Sequence, residues 1–299
     1  MKKPALLIAG MAVLALGGWA ALHGVPAAAP EAEGYAILDA GRNVVGRYVV
    51  PADSGILVRP DAELILYGKR LLADTARLLP DNVGAAMNCN SCHLGDGKIE
   101  GANGYINTVN FYPRVMPRAG KEVDLEARIN GCFQRSMNGK PLDPDGREMK
   151  AMIAYMDWLR QGVPKDRTVD IVNAGPIDES LVPDPENGRL VYAAKCAACH
   201  GADGEGMRDQ FGDVLFPPLW GEESFNIGAG MARTYKAAQF VKWAMPPAMH
   251  MGGRLGQGGV LSDQDAVDVA EYFTHMPRPD FPAKVKDWPN GGKPRDARY

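Results

Sequence analysis

"NGRLVYAAKCAACHGADG", residues Asn187–Gly204, starts with a glycine and a basic residue, passes through apolar positions, and ends in Cys196-x-x-Cys199-His200 followed by Asp203-Gly204. The same order occurs upstream in "YGKRLLADTARLLPDNVGAAMNCNSCHLGDG" (Tyr67–Gly97), where Gly68, Lys69 and a run of leucines precede Cys89-x-x-Cys92-His93 and Asp96-Gly97. Two such segments indicate a duplicated module. In each, two thiols two residues apart and an adjacent histidine fit covalent attachment of a c-type haem: the thiols form thioethers with its two vinyl groups and the histidine binds the iron. A redox Cys-x-x-Cys pair and half of a zinc site are the competing readings. The first would sit in a βαβ setting and the second would have another ligand pair close by, and neither module offers these. The expected cofactors are therefore two covalently bound c-type haems, one on Cys89, Cys92 and His93 and one on Cys196, Cys199 and His200.

Helical periodicity surrounds both motifs. Met149, Ile153, Met156 and Leu159 recur on one face of "REMKAMIAYMDWLRQG", which Gly162 and Pro164 bring to an end. In the second module Ser262 and Asp265 resemble a capping box, Ala266, Val269, Ala270 and Phe273 form the apolar face, and Pro277 closes the helix. The 35 glycines and 23 prolines are many for a helical chain, so long irregular loops are expected, with bound cofactors forming much of each core. The fold class predicted is mainly α. A Pro-, Asp- and Asn-rich stretch without periodicity reads as a linker at residues 166–187, between an N-terminal domain at 34–165 and a C-terminal domain at 188–299. Residues 34–66 contain Val- and Ile-rich pieces that suggest a short extension packed on the first domain.

At 299 residues and 46% apolar composition the chain suffices for two globular domains, and a net charge of −3 without basic blocks excludes a nucleic-acid partner. Lys2 and Lys3 precede an uncharged stretch, Pro4–Leu22, and a small-residue segment, which is the layout of an export signal. The stretch is also long enough to span a bilayer, and Pro30 after the Ala27/Ala29 site disfavours cleavage. Residues 1–33 are read as an export signal or a membrane anchor, and the location as periplasmic, with anchoring to the inner membrane as the variant.

Each iron needs a sixth ligand or an open position. For the second, Met245, Met249, Met251 and His250 lie in "FVKWAMPPAMHMGG", and Met245 is favoured because Pro246 and Pro247 fix the loop that presents its sulfur. For the first, the fifth cysteine, Cys132 in "RINGCFQRSMNGK" (Arg128–Lys140), lies at a nearly equivalent offset from its histidine. It shares a helical face with Leu125, Ile129, Phe133 and Met137, so its sulfur is directed to the module's interior. A small buried free cysteine is the alternative role, and Met116 and Met137 are rival ligands. Arg114, Arg118, Arg128 and Arg135 cluster near Cys132 in sequence, and arginine suits the recognition of an oxyanion. A solvated face or pairing with haem propionates would explain them as well.

The run "LEARINGCFQRSMNGKPL" (Leu125–Leu142), with "EMKAMIAYMDWL", "YAAKCAACHGADGEG", "FPPLWGEESFNIGAGMAR" and "LSDQDAVDVAEYFTHMPRP", resembles the dihaem thiosulfate dehydrogenases that form tetrathionate. The resemblance extends from about Tyr67 to Pro279, and the segment around Cys132 is its most specific part. It implies two cytochrome c-type domains in tandem and a reaction that couples two thiosulfates to tetrathionate, or the reverse. The first iron would be held by His93 and Cys132, and the second, on His200 and Met245, would pass electrons to a soluble acceptor such as a small c-type cytochrome. Arg118, Arg128, Arg135 and Ser136 become candidates for contact with substrate. Cys132 also fits a covalent role, leaving the iron to form a transient Cys-S-thiosulfonate. The sequence departs from the family where relatives often have Lys or Asn directly before the ligating methionine, since Ala244 stands there. A dihaem electron carrier without a substrate, or a haem-based sensor, is the rival function.

Overall fold

The computed structural model describes residues 34–247 and 258–299. The first helix of each module packs against that module's last long helix. In the first module α1 (Ala62–Ala73) lies on α6 (Arg147–Leu159), with the single turn α2 (Thr75–Leu78) leading toward the first cysteine motif. In the second, α7 (Pro185–Lys195) lies on α10 (Asp263–Thr274), and α9 (Thr234–Ala244) packs on α10 from another side. The short turns α3 (Leu94–Gly97) and α8 (Ala197–His200) follow and include the haem-motif histidines, and α4 (Thr108–Phe111) and α5 (Leu125–Arg135) complete the helical set.

The glycine shared by the two repeats has a steric reason. A Cβ at Gly68 would lie 1.8 Å from the Ala151 carbonyl oxygen of α6, and one at Gly188 would lie 2.0 Å from the Asp268 carbonyl oxygen of α10. Only glycine allows the two backbones to come this close. Helix starts follow their side chains: Asp124 accepts from the Ala127 N–H (2.7 Å), Asp184 from those of Glu186 and Asn187, and Ser262 from that of Asp265 (3.0 Å).

The predicted periodic faces are buried except at Ile153, which is half-buried. Met149 and Leu159 are fully enclosed and Met156 is buried, as are Met152 and Tyr155 beside them, and α10 buries Ala266, Val269, Ala270 and Phe273. One apolar core runs from Ile56 and Ile65 through Phe133 and Met152 to Tyr192, Val241 and Phe273, crossing both modules, and Tyr35–Tyr299 forms a single structural unit. The extension at 34–66 does pack on the first module. Strands β1 (Tyr35–Leu38) and β2 (Val44–Tyr48) pair antiparallel, and β5 (Thr168–Val169), from the linker, adds to the other edge of β1. Two further hairpins, β3 (Arg114–Met116) with β4 (Lys121–Val123) and β6 (Met207–Arg208) with β7 (Val214–Phe216), are short.

Candidate active site

The first cysteine motif is held by backbone and side-chain hydrogen bonds. Thr75 Oγ1 accepts from the Cys89 N–H (3.0 Å), and Asn88 Oδ1 accepts from the Ala76 N–H (2.9 Å), tying the motif to α2. His93 Nδ1 meets the Asn103 carbonyl at 2.5 Å, and its ring stacks on Tyr105 at 4.5 Å between centroids. His200 repeats the arrangement, with Nδ1 2.8 Å from the Pro217 carbonyl. A carbonyl at Nδ1 fixes the proton there and leaves Nε2 free for a metal. Burial lowers the pKa of both rings, that of His93 to about 4, which keeps them neutral as ligands must be.

The donor set fits haem. Cys196, Cys199, His200 and Met245 line one apolar recess, walled by Phe225, Phe240, Val241, Leu261 and Phe273. Met87, Ser91 and Cys92 of the first module line it too, so the two centres share a wall. Ala102, Phe240 and Ala244, with Leu94, Ile99, Met231 and Met245 against them, form a small apolar cluster at that junction. Beside the first motif the buried Tyr105 hydroxyl has no hydrogen-bond partner among the described residues, as expected of a side chain facing the place of an absent group. The alternative ligands Met249, His250 and Met251 lie outside the described residues. Of the first iron's rivals, Met137 is buried and Met116 has its sulfur 4.0 Å from the Tyr112 hydroxyl.

Cys132 sits on α5 within electrostatic reach of Cys89, Cys92 and Tyr105. Arg128, one turn earlier, donates from Nη1 to the Cys132 sulfur at 2.8 Å. Electrostatic interaction with Cys132, aided by the Tyr112 hydroxyl, raises the Arg128 pKa despite its burial. The other arginines face elsewhere. Arg135 forms a two-pronged pair with Asp287 (2.8 and 2.7 Å) and lies over the Phe281 ring. Arg118 donates to the Gly228 carbonyl (2.6 Å), lies over Trp288, and has its pKa lowered to about 10 by burial. Arg114 is exposed on β3, and Ser136 caps the end of α5 with its N–H on the Cys132 carbonyl. Of the residues expected to meet substrate, then, Arg128 alone touches the cysteine sulfur.

Sequence reasoning missed Asn103, Pro217, Tyr105 and Asp287. The first two act through backbone carbonyls, which leave no side-chain signal. Asp287 lies in a C-terminal tail with no motif.

Comparison with known proteins agrees with this architecture. Residues 81–164 match the SoxA/TsdA cytochrome c domain family and residues 185–277 the cytochrome c family. A thiosulfate dehydrogenase of Psychrobacter arcticus is 46% identical over 80% of this chain and 72% of its own length. One of Allochromatium vinosum is 42% identical over 75% and 82%. The solved structure of thiosulfate dehydrogenase (TsdBA) from Marichromatium purpuratum superposes with a TM-score of 0.69 at 32% identity, over 79% of this chain, which spans half the length of that one. Two tandem cytochrome c domains, each with the attachment motif for a c-type haem, and relatives of this closeness place the chain in the thiosulfate dehydrogenase family.

Proposed function

We infer that the chain oxidises thiosulfate at Cys132 and couples two molecules into tetrathionate, releasing two electrons. The observation that carries this reading is the contact between the Arg128 guanidinium and the Cys132 sulfur beside the first haem motif, in a chain so similar to named thiosulfate dehydrogenases. Haem bound at each motif supplies a one-electron centre, and two of them match the stoichiometry. Cys89, Cys92 and His93 hold the first, with Cys132 as its distal ligand, and Cys196, Cys199, His200 and Met245 hold the second. A thiolate ligand lowers a haem potential and a thioether raises it, so the ligand pair favours electron flow outward to an external acceptor. A small soluble c-type cytochrome suits that role.

Arg128 serves two ends. It stabilises the thiolate form of Cys132, and it offsets the repulsion between that sulfur and an incoming dianion. Arg118 and Arg135 support this site through Asp287 and Gly228, and Ser136 through the end of α5. The domains are assigned as 34–165 and 188–299 around a linker. A periplasmic location rests on residues 1–33, which lie outside the described residues, as does the anchor reading; among the described residues no helix is long and apolar enough to cross a membrane. The non-enzymatic carrier is disfavoured, because a carrier needs no cationic contact at its distal sulfur.

The test is Cys132→Gly, assayed by thiosulfate-dependent ferricyanide reduction with haem content measured alongside. Both haems should remain and turnover should fall by at least about a hundredfold. Turnover equal to wild type would defeat the assignment.

A further inference from the structure

Five cationic side chains lie within electrostatic reach of one another in a series that begins at Arg128 beside Cys132, and the described carboxylates serve only part of them. Asp287 takes Arg135 and lies 3.9 Å from Arg118, and Arg128 donates to the Cys132 sulfur. The remaining two belong to the second module: Arg233 directly precedes α9, and Lys236 stands in its first turn. Arg233 lies within electrostatic reach of Arg118 and of Lys236, and Lys236 within reach of Arg128. The Nε of Arg233 is buried without a hydrogen-bond partner among the described residues. Lys236 donates to the neutral amide of Gln239 (2.6 Å). The nearby Asp296 carboxylate is engaged by the Tyr235 N–H (2.9 Å), and Glu179 of the linker lies within electrostatic reach of the solvent-exposed Lys236.

Cations held near one another repel unless an anion lies among them. A guanidinium with an unused buried N–H is a donor waiting for an acceptor. Coupling two dianions also requires positive charge on more than the Cys132 side of the site. We propose that Arg233 and Lys236 bind the sulfonate end of thiosulfate, so that the second module completes the anion site of the first. The inference rests on the reading of Cys132 as the reacting sulfur and adds residues of the second module that lie within electrostatic reach of Arg128 and Arg118.

The carboxylates of a haem propionate share the relevant chemistry with a sulfonate, and the experiment separates them. Arg233→Gln and Lys236→Gln are made singly and together in the full dihaem protein. Each is expected to raise KM for thiosulfate about tenfold or more while kcat at saturation stays within about threefold, with haem absorbance and both midpoint potentials unchanged. Thiosulfate added to the ferric protein should perturb the absorbance at correspondingly higher concentration. Lys236→Arg should recover most of the wild-type KM. An unchanged KM accompanied by a shifted midpoint potential or lost haem would assign the two side chains to a propionate and overturn the proposal, and so would an unchanged KM with unchanged potentials. If the glutamine variants do not fold, Arg233→Lys is read in the same way, together with the wild-type KM against sulfate concentration; a KM indifferent to both also overturns it. Wild-type protein that neither binds nor turns over thiosulfate would defeat the functional reading itself, whereas normal wild-type turnover with wild-type KM in the variants defeats this inference alone.

Discussion

Cys132 and Arg128 make a pair whose two members depend on one another. The half-buried sulfur accepts from the Arg128 guanidinium, and the interaction with that sulfur raises the Arg128 pKa against the effect of its own burial. Replacing Arg128 with Gln removes one charge-assisted bond, worth about 1.5–3 kcal/mol. The expected result is a fall in kcat/KM for thiosulfate of about tenfold to a hundredfold, read by steady-state kinetics with haem content as control. Arg128→Lys should restore charge without the planar fork and recover only part of it. Cys132 was legible in the sequence because four of five cysteines were accounted for by motifs, leaving one. Which arginine serves it was not legible, since Arg128 and Arg135 flank it at nearly equal distance along the chain and only the turn of α5 separates them.

Helices α6 and α10 could be read directly, because a buried face repeating at helical spacing is a local property of the sequence. The sheet formed by β1, β2 and β5 could not, because its strands are short and β5 comes from the far end of the first module. The repeated glycine was visible as a pattern and acquires its meaning only from the crossing of two helices. Gly188→Ala would set a methyl group against the Asp268 carbonyl, and overpacking of this kind costs about 1–3 kcal/mol. Thermal unfolding should show a Tm lowered by several degrees. A control with an alanine at Gly131, where a Cβ meets nothing within 4 Å, should leave Tm unchanged or slightly raised. At the N-terminal end, Asp53 bridges Lys69 and Lys98; burial pushes its pKa up, but the two ammonium groups outweigh this and hold it below the usual value. A depressed carboxyl pKa stabilises the fold above the unfolded value, and that contribution is lost as pH falls through the folded one. Stability measured by denaturant titration should therefore decline less steeply between neutral pH and the acid range in Asp53→Asn than in wild type.

Across the whole molecule, the tail after α10 returns to the first module. Asp287, 5% exposed at its side chain, receives Arg135 from α5 and lies close to Arg118. Removing the carboxylate leaves two guanidinium groups partly buried without it, which costs about 3–5 kcal/mol by the usual measure of a broken buried pair. Asp287→Ala should accordingly destabilise more than Arg135→Ala, and a double-mutant cycle in urea should show strong coupling between them. The shared wall of the second cavity, to which Met87, Ser91 and Cys92 contribute, bears on how such a protein is made. A duplicated unit is ordinarily thought of as separable. Here a cut between the halves would leave the C-terminal half with an apolar recess open on one side, so that half expressed alone should be less stable than it is within the whole chain.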